Sequence, residues 1–215
     1  MAETSARRGS LREDCVRQAL AIIETSGVEG LSLRDVARRL GVSHQAPYKH
    51  FANRDELLAE VVARAFAEFA AWLDARPQRS DPADDLAEIG KAYIGYAASH
   101  PLNYRLMFGT PLPDPDSHAE GMLAQAQHAF GILRQAIDRL PPPAGHAARP
   151  SPDLDALYVW STIHGLVSVF QSSAMTTIPV AAATFSAMQQ HTFARLRAAL
   201  GVAIPEPAEG AELIP

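Results

Sequence analysis

Between Ser32 and Phe51 the chain reads SLRDVARRLGVSHQAPYKHF, and His44, Gln45, Ala46, Tyr48 and Lys49 give this stretch a mostly polar face with one aromatic and one cation. Imidazole, amide and ammonium groups of this kind hydrogen-bond base edges and phosphate oxygens. Two elements must position them. Leu33, Val36, Ala37 and Leu40 recur at i, i+3, i+4 and i+7, which predicts a short amphipathic helix capped by Ser32 and ended by Gly41. A second short helix is expected from Ser43 to about His50, with Val42 filling the gap beneath the turn. Two short helices around a glycine turn have the spacing of a helix-turn-helix, which lays its second helix in the DNA major groove.

A second set of residues could serve a small ligand. Trp160 and His164 are four apart and share one helix face, where they either line a pocket or pack a core. Tyr93, Tyr96, Tyr104, Met107, Phe108 and Phe170 could line an apolar cavity, although aromatics at helical spacing also build cores. Eight histidines invite a metal reading, yet no two form an i, i+4 ligand pair with carboxylates, so no metal and no cofactor is expected. Cys15 is the one cysteine and lies on an apolar stripe, which excludes a disulfide framework and argues against a redox role. There is no nucleophile elbow and no H-E-x-x-H, so catalysis is not expected.

The 215 residues carry a formal charge of −5, unevenly spread. Residues 5–54 hold nine Lys/Arg against five acids, whereas the rest of the chain holds ten against nineteen. A basic start on an acidic body suggests that one end alone approaches a polyanion. Residues 156–194 contain no Asp, Glu, Lys or Arg, but polar residues interrupt every window long enough to span a bilayer. No membrane span is expected. The opening MAETSARRGSLRED lacks an apolar core behind its arginines, so a cytoplasmic location is expected.

Periodicity and caps predict an all-α fold of about nine helices. Ser10 opens the first through a capping box with Glu13, Asn53 caps the fourth, Asp81–Pro82 starts the fifth, and Ser117 caps a long seventh. Pro141–Pro152 is expected to be a mobile proline-rich loop between this helix and two last helices at about 153–174 and 180–200. The expected division is 1–53 for a three-helix DNA-binding domain, 54–200 for a helical ligand-binding and dimerisation bundle, and 201–215 for a disordered tail.

Residues 10–58 resemble the DNA-binding domain of the TetR/AcrR transcriptional regulators. Tyr48-Lys49-His50-Phe51-Ala52-Asn53-Arg54-Asp55-Glu56-Leu57-Leu58 is similar to the family's Y-x-H-F-x-x-K-x-x-L-L, with Arg54 in place of the usual lysine and Pro47 as a second departure. The resemblance implies phosphate contacts from Tyr48, His50 and Arg54, unless Tyr48 and His50 only pack the domain. Base reading falls to His44, Gln45 and Ala46; Lys49 is a further phosphate candidate. Ser32, Arg34 and Ser43 complete the DNA-facing set, the serines being equally suited to plain capping. Tyr158–Gly165 is similar to a W-x-x-x-H-G signature of one subclass, and Pro101–Gly109 to the segment before it. This likeness implies a homodimer formed through the last two helices around a cavity for a small apolar or aromatic effector. The implied function is a repressor on a palindromic site in double-stranded DNA, released by that effector. The rival reading is a ligand-independent module that organises DNA or binds protein.

Overall fold

Helices α1 (Ala2–Ser26), α2 (Leu33–Leu40), α3 (Arg54–Asp74), α4 (Pro82–Ser99), α5 (Pro101–Phe108), α6 (Glu120–Arg139), α7 (Pro152–Gln171) and α8 (Ala182–Leu200) account for most of the described residues, which contain no strand. The structure is a computed structural model that describes residues 2–109, 120–149, 151–173, 177 and 179–201, excluding the side chains of 2–10, 182 and 185. The caps explain several boundaries. Ser32 Oγ accepts from the amide of Asp35 (3.1 Å), Asn53 Oδ1 from that of Glu56 (2.8 Å), and Asp81 Oδ1 from those of Ala83 and Asp84 (2.8 and 3.0 Å). Each supplies an acceptor for amides that the first helical turn leaves without one. Gly41 (φ 67°) and Gly201 (φ 65°) end α2 and α8 in the left-handed region, where a side chain would be strained.

Four expectations need correction or fall outside these residues. Helix α1 begins at Ala2, so Ser10 lies inside it and does not open it; Ala2, Glu3, Ala6, Arg7 and Arg8 are good helix formers. Ser117 and the tail from 202 onward lie outside the described residues. The expected helix over 43–50 is a pair of tight turns that ends in a 3-10 helix at Pro47–Lys49.

The described residues form two compact units, one of Met1–Ala70 with Pro101–Gln127 and one of Ala71–His100 with His128–Pro215. In the first, Cys15, Val16, Ala19, Ile22 and Ile23 of α1 are buried, as are Leu33, Val36 and Ala37 of α2 and Leu57, Leu58, Val61 and Val62 of α3. Glu60 of α3 receives two hydrogen bonds from Arg12 of α1 (3.0 and 2.7 Å) and one from Arg64 (2.9 Å), and Arg64 also donates to Glu13 (2.7 Å). The Arg12 hydrogen bonds hold the Glu60 carboxyl below the usual carboxylate range. Phe108 of α5 meets Phe66 and Phe69 edge-on at 5.9 and 6.5 Å.

In the second unit α4 packs on α7 and α7 on α8. Asp85, 1% exposed, accepts from Arg76 Nη2 (3.0 Å), Arg139 Nη1 (3.0 Å) and the Arg79 amide (3.1 Å). In the proline-rich segment, Arg149 donates to Asp155 (2.7 Å) and to the carbonyls of Pro141 (2.9 Å) and Leu200 (3.2 Å). No helix among the described residues is long and apolar enough to cross a membrane. Replacing Asp85 strands two guanidiniums, one of them buried (the Arg76 side chain is 8% exposed). Asp85→Ala should therefore lower the unfolding free energy by about 3–5 kcal/mol, measured by urea denaturation.

Candidate nucleic-acid interface

The frame of the interface is α2, closed by Gly41, whose following residue Val42 donates its amide to the Ala37 carbonyl (3.1 Å). From Ser43 the chain would continue as an α-helix, but Pro47 brings no N–H to the Ser43 carbonyl. The amide of Ala46 meets that carbonyl instead (2.9 Å), a three-residue closure, and His50 and Phe51 donate to the Pro47 carbonyl (2.9 and 3.0 Å). No helix starts at Ser43, contrary to expectation: residues 44–46 form a turn and the 3-10 helix begins at Pro47. Pro47 and Phe51 are buried, and Phe51 lies under the Arg12 guanidinium at 5.2 Å. These two anchors leave Ser43, His44, Gln45, Tyr48 and Lys49 exposed, Ala46 and His50 half-buried, and Tyr48 49% exposed.

Charge around this segment is selective. On α2, Arg34, Arg38 and Arg39 are all exposed; Arg38 and Arg39 both pair with Asp35, and the Arg38 bond holds that carboxyl low. Ser32 is exposed but serves as the α2 cap. Arg54 is turned toward protein: Nε donates to the Leu31 carbonyl (3.1 Å), Nη2 to that of Val28 (2.7 Å) and Nη1 to Asp55 (2.9 Å). The face therefore consists of polar groups with Arg34 and Lys49 as exposed cations, beside Arg38 and Arg39, which are exposed but paired with Asp35. Such a face can donate and accept at base edges while its cations meet phosphate.

The residues expected around a ligand fall into both units. Tyr104 and Met107 are buried in the first, where Tyr104 packs on Phe108 at 5.0 Å. Tyr93, Tyr96, Trp160, His164 and Phe170 belong to the second. Tyr93 Oη lies 2.9 Å from His164 Nδ1, Trp160 is 5.9 Å from the His164 ring and 6.3 Å from Phe130, and Tyr96 stacks on His100 at 4.4 Å. A separate apolar cleft of about 10 Å³ lies among α4, α7 and α8, lined by Leu86, Ala87, Gly90, Val159, Ile163, Phe193, Leu196 and Leu200. It has room for about one water, and none of the expected ligand residues lines it. A Cβ on Gly90 would come within 2.9 Å of the Phe193 ring, so glycine is what lets that ring approach. Of the cleft's lining residues, Val159, Ile163 and Phe193 lie in the charge-free run of 156–194.

Two family models match the chain: "Bacterial regulatory proteins, tetR family" over residues 16–61, and "Tetracyclin repressor-like, C-terminal domain" over 86–193. The HTH-type transcriptional regulator Rv1816 of Mycobacterium tuberculosis is 33% identical over 116 residues, covering 52% of this chain and 49% of that protein. The chain thus matches about half the length of this curated relative. The tetracycline repressor protein class C of Escherichia coli is 42% identical over 74 residues, 34% of this chain and 31% of the repressor. The crystal structure of regulatory protein SCO4313 superposes with a TM-score of 0.69 at 26% identity, covering 89% of this chain and 97% of that one.

Burial pulls the His164 imidazole below its usual range, so the folded chain binds a proton there less readily than the unfolded chain. Its contribution to stability is therefore present above the unfolded value of about 6.5 and declines as pH falls below it. Urea denaturation at pH 7.5 and 5.5 should show this loss. His164→Asn should reduce it.

Proposed function

The chain belongs to the TetR family of bacterial regulatory proteins, and on that premise we propose that it is a DNA-binding transcriptional repressor that a small-molecule effector releases from a palindromic operator. The observation that carries this reading is the exposure of Ser43, His44, Gln45, Tyr48 and Lys49 around the buried anchors Pro47 and Phe51 in a helix-turn-helix frame. Gln45 and His44 read base edges, Ala46 offers an apolar contact, and Tyr48, Lys49 and Arg34 meet phosphates. Residues 1–53 carry DNA binding and 54–200 ligand binding and dimerisation. A homodimer through α7 and α8 accounts for the large apolar side chains that α7 exposes, Leu154, Leu157, Tyr158 and Val169, and for the exposed small residues Ala183, Ser186 and Ala187 of α8. An effector bound in the second unit would act by favouring one of two separations of the reading segments.

The alternative reading is a ligand-independent module that binds DNA or protein without an effector. A thermal-shift screen of apolar and aromatic compounds separates the two: ligands that stabilise the chain and lower its DNA affinity support the sensor.

On a duplex that the chain enriches from a random library, Gln45→Ala should cost ~1–3 kcal/mol, with little loss on random DNA. Lys49→Ala should weaken both and flatten the salt dependence by about one unit. Titrations at several salt concentrations read both effects. In sedimentation equilibrium the wild-type chain should be dimeric at micromolar concentration, and Leu157→Asp with Tyr158→Asp monomeric.

A further inference from the structure

Arg54 opens α3, and its guanidinium reaches back to the connection between α1 and α2. The carbonyls it holds belong to Val28, which starts the short 3-10 helix Val28–Gly30, and to Leu31, which is 2% exposed. Leu31 directly precedes Ser32, the cap of α2, and Arg54 directly follows Asn53, the cap of α3. One side chain therefore joins the two ends of segment 32–53, which contains α2, the Gly41 turn and the exposed residues Ser43, His44, Gln45, Tyr48 and Lys49. Closing a segment at its base removes many of its conformations. Nε and Nη2 form the side-on fork with which arginine grips phosphate, and here both donate to protein carbonyls.

We infer that Arg54 is a positioning residue for DNA recognition: it sets the spacing between the start of α2 and the start of α3, and so the aim of residues 43–49. This rests on the DNA-binding reading above. Lysine cannot replace it, because a flexible ammonium is a point charge without the rigid pair of donors that fits two carbonyls three residues apart. A phosphate contact would need only the charge, which lysine keeps.

The test compares wild type, Arg54→Lys and Arg54→Ala on the library-enriched duplex and on a random duplex of equal length, at several salt concentrations. Positioning predicts that Arg54→Lys binds the enriched duplex about tenfold more weakly. Its affinity for the random duplex and its salt slope should match wild type. Arg54→Ala should lose at least as much on the enriched duplex without losing a unit of slope. Full rescue by lysine, with the alanine variant losing about one unit of salt slope, would overturn the assignment in favour of a phosphate contact. Parallel loss on both duplexes with reduced helix content in both variants would overturn it in favour of a general structural role. Failure of the wild-type chain to enrich any sequence would overturn the DNA reading itself.

Discussion

Helix α2 has eight residues, fewer than an isolated helix needs to persist in water, where runs below about 12–15 residues are marginal. Its existence depends on what surrounds it. Leu33, Val36 and Ala37 bury its inner face, Ser32 caps one end, and the left-handed Gly41 closes the other. A cap of this kind contributes ~1 kcal/mol, and burial of a leucine or valine side chain about 1.5–3 kcal/mol. The turns at 43–50 have still less structure of their own and rely on the buried side chains of Pro47 and Phe51. The reading surface is thus a product of the core beneath it.

Arginine does much of the remaining fastening, and the chain holds seventeen arginines against two lysines. Arg12 and Arg64 share Glu60 in the first unit; Arg76 and Arg139 share Asp85 in the second; Arg149 holds one carboxylate and two carbonyls. A planar group with five donors can join several chain segments at once, which an ammonium does less well. The second unit's ties are costly to bury, and their matching is incomplete, since Arg76 Nε and Arg149 Nε are buried without a hydrogen-bond partner.

The all-helical fold was legible because Ser32, Asn53 and Asp81 announce their caps locally and the apolar stripes keep helical period. The helix-turn-helix was legible for the same reason, with Gly41 as its marker. The helix expected over 43–50 was misread because the spacing weighs Pro47 as an early-turn residue, while its missing N–H decides the local bonding. The brace made by Arg54 was hidden because its partners are backbone carbonyls more than twenty positions upstream, which no side-chain pattern reveals. The cleft beside Gly90 was hidden for a related reason: glycine, leucine and phenylalanine at helical spacing describe a core equally well. Of the aromatic candidates, Tyr104 belongs to the first unit and Trp160 to the second.

Pro47 has a further consequence, which concerns the entropy of association. A proline ring fixes φ near −65° in the free chain as firmly as in any complex, and here the ring is also buried. Segments that order only on contact spend part of their interaction energy on that ordering. A reading segment that contains a residue of fixed φ has completed part of it during folding. On the proposed reading, its encounter with DNA would release counterions and form hydrogen bonds at a smaller loss of backbone freedom than a glycine-rich turn would incur. The same stiffness narrows the range of base sequences to which the exposed side chains can adapt.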